Sequence, residues 1–424
     1  MRRSSRAAIA TTSKSFAGAE LTEGSDPRRA LLLALFQAAL ERVEGARCVR
    51  AALQPEAAAL TAPVWVAAVG KAAGAMARGA HEALGAAIEH TLIITAAGAE
   101  AASAAAVEVW RGAHPLPDER SLAAGARLLE WVRALPAHAR PLFLISGGAS
   151  SLVEVLNAGH TLGELQALNR VGLSQGIAIG EFNRRRRVLS ALKGGRLTEE
   201  LQGRRARALF LSDVPQDDPA VIGSGLLGPA AGGVDQVQRS IVAGIGDAVA
   251  AVAARARQLG LTVHEAPRRF DDGALRLAAR FAHELALSAT QVCVWGGEST
   301  VVLPPDPGRG GRSQHLALAA ARLIAGHPEL MLLAAGTDGS DGVTEDAGAL
   351  VDADTCARVA LAELDADECL ARADAARALS ASADLVHTGP TGTNVGDLVI
   401  GLKLAAAAAR TLPGLRGGAS TRVL

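Results

Sequence analysis

The sequence predicts an α/β protein built as two α/β domains, the first with a mainly parallel sheet. Two observations lead there. Short runs rich in apolar and β-branched residues alternate with longer Ala- and Leu-rich stretches of helical periodicity. Polar, glycine-rich loops follow the ends of those short runs, where an open parallel sheet gathers its ligands. The 424-residue length accommodates two or three domains, and 49% hydrophobic with 20% charged residues is an ordinary globular balance.

The elements follow in order. "PVWVAAVGKAAGAMARGAHEAL" reads as strand, tight turn and helix: Val64–Val69 is apolar, Gly70 turns the chain and Lys71 opens the helix. "HTLIITAAG", "RPLFLISGGASSLVEVL" and "ARALFLSDVPQDDP" each begin as a buried strand and end in a polar turn. Helical stretches are expected over 28–46, 119–134, 163–180 and 236–258. A second α/β pattern begins after residue 260. "LTVHEAP" is a strand or connection, and 273–289 is helical. "QVCVWGGESTVVLPP" reads as strand, glycine turn and strand, and "QHLALAAARLIAGH" as a helix. "LMLLAAGTDGSDG" is a further strand, 353–363 a helix, and "ADLVHTGPTGTNVGDLVIGL" a loop followed by a strand.

Composition narrows the function. Lys+Arg and Asp+Glu are both 43, so nothing draws the whole chain to nucleic acid or to a membrane surface. Aromatic residues are 3% with no Tyr, which argues against base-stacking platforms. Cys48, Cys293, Cys356 and Cys369 are scattered without metal spacing and read as reduced thiols of a cytoplasmic protein. No apolar run has transmembrane length. The first nineteen residues are basic, Ser/Thr-rich and acid-free like a transit peptide, but residues 1–26 are read as a disordered extension.

Six segments carry possible chemistry. Lys71 on the first turn after a strand can neutralise an anion held by helix amides, or be a solvated lysine. The turn "SGGASS", with Ser146, Gly147, Gly148, Ser150 and Ser151, can cradle phosphate or carboxylate, or simply cap a helix. "EFNRRRRVLSALKGGRL" holds Arg184–Arg187 and Lys193, read as an anion clamp with only some arginines inward, against a solvated face. "SDVPQDD" places Asp213 directly after a strand, fit to take a proton from a hydroxyl, hold a metal or shape an Asx turn. "GTDGSDG" repeats the theme with Asp338 and Asp341, possible metal ligands without EF-hand spacing. "HTGPTGTNVGD" supplies Thr388, Thr391, Thr393 and Asn394 as neutral donors. Such loops in number at strand ends indicate a cleft enzyme for small anions, with phosphoryl transfer the best match.

Together the motifs resemble the glycerate 2-kinase family of the MOFRL type, from about residue 30 onward. The resemblance rests on "GKAAGAMA", "HPLPDERS", "SGGASS", "LSALKGGRL", "LSDVPQDDPAVIGSG", "GGESTVV", "GRGGRSQ", "AAGTDGSDG" and "TGPTGTNVGDL", in the family order. It implies ATP-dependent phosphorylation of D-glycerate to 2-phosphoglycerate with Mg²⁺. It also implies a Rossmann-like domain over 27–265, a MOFRL domain over 266–424 and a site in the cleft between them. Carried over, Lys71, Asp213 and Arg312 are the catalytic candidates. Gly70, Ser146, Gly147, Gly148, Ser150, Ser151, Asn183, Arg186, Lys193, Glu298, Gly311, Thr388, Thr391, Thr393 and Asn394 are the binding candidates, and Asp338 and Asp341 the metal candidates. The partners implied are a small 2-hydroxy acid and ATP, in a monomer or homodimer.

The chain also departs from the family pattern. Gln216 stands for a glycine, Leu226 for a proline, Ser313 and His315 for Asn and Glu, Val188 for His and Gly396 for Asn. These changes leave room for a different 2-hydroxy acid or for impaired turnover. A hydroxypyruvate reductase is the remaining rival. It should show GxGxxG after a strand and an acid about 20 residues on, and "VGKAAGAMA" does not.

Overall fold

The computed structural model describes residues 26–57, 62–96, 107–175, 179–230, 232 and 234–412. The expected N-terminal extension lies almost wholly outside the described residues. The first sheet contains β1 (Val64–Val69), β2 (Ile88–Thr95), β3 (Val107–Arg111), β4 (Arg140–Ile145), β5 (Ala206–Leu211) and β6 (Val237–Ala243). Its order is β3-β2-β1-β4-β5-β6 and every neighbouring pair is parallel. That is the Rossmann-type order, with the winding direction reversing between β1 and β4.

The second sheet contains β7 (Val263–Glu265), β8 (Phe270–Gly273), β9 (Val292–Thr300), β10 (Leu330–Gly336), β11 (Gly348–Asp352), β12 (Leu385–Val386) and β13 (Asp397–Lys403). Its order is β12-β11-β10-β13-β9-β7, with β8 also pairing with β9. Its central pairs are antiparallel, whereas β7 and β8 run parallel to β9. The chain is therefore α/β in both halves.

Several elements differ from expectation. The stretch 236–258 is not one helix: β6 occupies its start and the helix Ile245–Gln258 follows. β9 runs unbroken through Gly296 and Gly297. Those glycines serve close packing, not a turn: a Cβ on Gly296 would lie 2.5 Å from Ile245 Cγ1, and one on Gly297 2.1 Å from the Phe270 carbonyl oxygen. The expected helix over 28–46 ends at Val43, because Glu44 is extended, and a second helix, Gly45–Ala57, follows. The arginine run lies on a separate helix, Ile179–Leu189.

One buried apolar layer joins the sheets. It includes Val66, Ile93, Leu144 and Leu211 of the first sheet and Val294, Leu333, Leu350 and Ile400 of the second. Leu31, Leu35, Phe36 and Leu40 of the helix Pro27–Val43 belong to the same layer. The next helix holds the Lys71 region in place. Gly79 of the helix Ala73–Leu84 meets Ala46 so closely that a Cβ would stand 2.2 Å from the Ala46 carbonyl oxygen. Gly45 N–H in turn donates to Gly392 O at 3.1 Å, and Thr393 Oγ1 to Val43 O at 2.6 Å. The N-terminal helices thus brace loops from both halves.

Gly79→Ala should cost about 1–3 kcal/mol, the usual range for overpacking a tight contact. Urea unfolding measures it, and an unchanged midpoint would show that the two helices can separate freely.

Candidate active site

The site is assembled where the first sheet reverses direction, at the carboxyl ends of β1 and β4. The loops there are bonded to each other. Ser146 N–H donates to Val69 O at 3.0 Å, Lys71 N–H to Gly147 O at 2.9 Å, and Ala72 N–H to Ser146 Oγ at 3.1 Å. Gly70 has φ +134°, and a Cβ there would lie 2.1 Å from Ser146 Oγ. Only glycine fits. Ser146 therefore shapes the turn through its hydroxyl and leaves Lys71 directed outward.

Asp213 follows β5 and reaches the same point. A Cβ on Gly147 would stand 2.0 Å from Asp213 Oδ2 and 2.1 Å from Asn394 Nδ2. Asn394 arrives from the loop before β13, and its Nδ2 donates to Asp213 Oδ2 at 3.3 Å. The second half supplies further charges. Lys71 Nζ pairs with Asp338 Oδ2 at 2.6 Å, directly after β10. Arg312 opens the helix Arg312–Ile324 and forks between Glu298 Oε1 at 2.7 Å and Asp397 Oδ2 at 2.7 Å. Lys71, Asp213, Glu298, Arg312, Asp338 and Asn394 thus meet across the cleft.

Burial and the Glu298 charge push the Asp213 carboxyl up to about 6, although Lys71 and Arg269 pull it down. Burial would also raise Asp338, but the Lys71 ammonium reverses this and holds it below the usual carboxylate range. Burial alone would lower Arg312; the Asp397 and Glu298 carboxylates outweigh it and keep the guanidinium charged. Asp213 is therefore held above the usual carboxylate range while Asp338, paired with Lys71, is held below it.

Other expected residues occupy supporting positions. Arg186 and Lys193 are buried beneath the "SGGASS" turn with Glu154. Arg186 Nε lies 3.7 Å from Glu154 Oε2, its Nη2 donates to Ser150 O at 2.5 Å, and Lys193 Nζ donates to Val153 O at 2.6 Å. Burial lowers the Lys193 pKa to about 8. Ser150 Oγ meets Ser224 Oγ at 2.7 Å, Ser224 Oγ donates to Asn183 Oδ1 at 2.9 Å, and Ser151 Oγ donates to Gly148 O at 3.2 Å. These groups support the turn from below. Arg184 and Arg185 pair with Glu181 nearer the surface.

The threonine hydroxyls are also engaged. Thr388 donates to Gly389 O at 2.7 Å, Thr391 to Thr337 O at 2.5 Å and Thr393 to Val43 O at 2.6 Å. Asp341 accepts Ser313 N–H at 3.1 Å and Gln314 N–H at 2.7 Å, so it caps the Arg312 helix. Gly311 gives it room, since a Cβ there would lie 2.2 Å from Asp341 Cγ.

Three cleft residues escaped the sequence reading. Asp397 pairs with Arg312 and begins β13. His114 follows β3, and a Cβ on Gly148 would approach His114 Cδ2 at 3.2 Å and Lys71 Cγ at 3.1 Å. Burial and the Lys71 charge lower its pKa to about 3, so its ring is neutral. Arg269, between β7 and β8, donates from Nη2 to Asp213 O. "HPLPDERS" and "VGD" carried signals for His114 and Asp397; Arg269 sits in no glycine loop and had none.

This is a two-sheet α/β fold with a charged cleft at the reversal point. The chain matches the MOFRL family over residues 291–397 and a domain of unknown function, DUF4147, over 31–237. It is 35% identical over 374 residues to a D-glycerate 2-kinase of Thermotoga maritima, covering 79% of this chain and 89% of that protein. A glycerate kinase crystal structure from Thermotoga maritima superposes with TM-score 0.78 at 31% identity, over 90% of this chain and all of that one. An Agrobacterium vitis relative named a hydroxypyruvate reductase is 34% identical over 335 residues, covering 69% of this chain and 87% of that protein. The chain belongs to the glycerate 2-kinase family.

Gln216, at the family's glycine position, adopts φ +65°, and Asp217 follows at φ +53°. A side chain in that region costs about 1–2 kcal/mol, and glycine's extra chain entropy offsets about 0.5–1 kcal/mol of the relief. Gln216→Gly should therefore raise stability by up to about 1 kcal/mol in chemical unfolding. A loss of stability would mean that the exposed side chain makes a contact worth more than the strain.

Proposed function

We propose that the protein transfers the γ-phosphoryl group of ATP to the 2-hydroxyl of D-glycerate. The observation that carries this reading is the meeting of Asp213 with the Lys71 turn at Gly147, with Arg312 held on the opposite wall by Glu298 and Asp397. The carboxylate of Asp213 accepts the proton of the attacking hydroxyl. A group near pH 6 combines a mostly ionised state at neutral pH with useful basicity. The hydroxyl oxygen then bonds to the γ-phosphorus as the bond to the ADP oxygen breaks. Phosphoryl transfer needs positioning and charge more than covalent help. Lys71 and Arg312 supply that charge, exchanging their carboxylate partners for the substrate carboxylate and the phosphates. The neutral His114 ring beside Gly148 can donate a hydrogen bond without adding charge.

The residues fit a Mg²⁺ carried in with the nucleotide. Among the described residues no three His, Cys, Asp or Glu side chains form a ready-made cage. Mg²⁺ ordinarily keeps waters and uses one or two carboxylates plus phosphates. Asp338 would hold it, and the ion would neutralise phosphate charge when bound. Asp341 is less suited, because both of its oxygens are committed to helix amides.

The reductase reading gains no support from the β1 turn. That turn holds Lys71 and is bonded to the β4 loop, in place of the GxGxxG spacing a dinucleotide site uses. No helix among the described residues is long and apolar enough to cross a membrane. We place the enzyme in the cytoplasm as a monomer or homodimer acting on small molecules.

An ADP-release assay across glycerate and related 2-hydroxy acids tests the reading. Lys71→Ala, Asp213→Asn and Arg312→Ala should each lower kcat/KM by roughly 10²-fold or more. Near-normal turnover in all three would sink the site, and product phosphorylated at O3 would overturn the 2-kinase assignment. In the parent enzyme the rate should fall as pH drops through about 6, because protonating Asp213 removes the base. Asp213→Asn should abolish that acid limb; a limb that persists belongs to another group.

A further inference from the structure

We propose that Arg269 is a positioning residue for this reaction: it fastens the Asp213 loop to the second sheet and keeps a cation beside the Asp213 carboxylate. The inference rests on the reading that Asp213 accepts the hydroxyl proton.

Four observations lead to it. Arg269 immediately precedes Phe270, a buried ring packed edge-on against Phe281 at 5.3 Å, so its backbone is anchored in the second core. Its Nη2 donates to the Asp213 carbonyl oxygen, which joins the two halves at the residue that carries the base. Lys71 and Arg312 each face carboxylates, whereas Arg269 makes no ion pair among the described residues, and its buried Nη1 has no hydrogen-bond partner. Finally, Gly396 is its neighbour: at φ +104°, a Cβ there would lie 3.1 Å from the Gly297 carbonyl oxygen and in ordinary contact, 3.4 Å, with Arg269 Nη2. The family pattern has Asn at that position. This chain pairs an arginine reaching into the cleft with a neighbour that has no side chain.

The charged groups facing Asp213 are Lys71 from the β1 turn, Glu298 from β9 and Arg269 from the β7–β8 link. Asn394 is the neutral neighbour. Lys71 and Arg269 stabilise the ionised carboxylate and Glu298 opposes it. Removing Arg269 therefore leaves the proton harder to lose and the loop untied.

The pH dependence of kcat in Arg269→Gln and Arg269→Lys tests this, with Asp213→Asn alongside. Arg269→Gln should move the acid limb to higher pH by roughly half a unit or more. It should also lower plateau kcat roughly tenfold through misplacement of the base. Arg269→Lys should keep the limb near its parent position while kcat still falls, because the charge remains and the fork is lost. A parent-like limb in folded Arg269→Gln overturns the proposal. Should that variant not fold, a parent-like kcat in Arg269→Lys overturns it instead. Asp213→Asn that stays active with its limb intact removes the base reading itself. Inactive Asp213→Asn with an unmoved limb in Arg269→Gln removes only the role of Arg269.

Discussion

The cleft depends on one close approach, that of Gly147 to Asp213 and Asn394. No side chain fits between them, since even a Cβ would come within 2.0 Å of the carboxylate. This contact brings a turn of the first sheet, the strand end carrying Asp213 and a loop of the second half to one point. Nearby, Gly70 allows Ser146 to lock the β1 and β4 turns together. Misplacing a reacting group by about 1 Å can cost about 10²-fold in rate. The glycines therefore do geometric work that no charged residue of the cleft could replace.

On that frame the charges are arranged as pairs. Lys71 is matched by Asp338, and Arg312 by Glu298 and Asp397. An unmatched charge in a partly dry cleft is costly, whereas a pair that exchanges partners stays compensated throughout binding. Asp213 Oδ2 instead accepts from the Asn394 amide. Its proton affinity accordingly rises while that of Asp338 falls. The contrast between Asp213 and Asp338 follows from which of the two is paired with a cation.

Four strands of the first sheet, β1, β2, β4 and β5, and the loops at their ends were legible because both signals are local, whereas β3 had been missed. Val64–Val69 and "RPLFLI" are apolar runs of strand length, and glycine with Ser, Lys or Asp follows at once. Legibility failed where one signal has two causes. Gly296 and Gly297 look like a turn, yet they lie within β9 to admit Ile245 and β8. Val237–Ala243 runs directly into a helix of similar apolar content, so periodicity merged them. Arg186 and Lys193 have the composition of a clamp but are buried with Glu154, a partnership between distant segments. The hydroxyls of Thr388, Thr391 and Thr393 looked free and are spent on backbone carbonyls.

The departures from the family pattern are spread over both halves of the chain. Leu226 is buried in the first core, and Val188 is exposed on the arginine helix. Ser313 and His315 are buried in the first turn of the Arg312 helix, where Ser313 Oγ and His315 Nδ1 have no hydrogen-bond partner. That turn is held by Asp341, whose carboxyl is itself pushed up to about 7 by burial. A helix start with unpartnered polar atoms is a weaker support for a guanidinium than a fully bonded one. Arg312 compensates by taking two carboxylates at once, one of them on β13. Gly396, one residue before that carboxylate, lies beside the Arg269 guanidinium. The substitutions at Ser313, His315 and Gly396 thus fall on the supports of the two arginines that enter from the second half. Lys71 and Asp213 themselves come from the loops of the first sheet, with Gln216 three residues beyond Asp213.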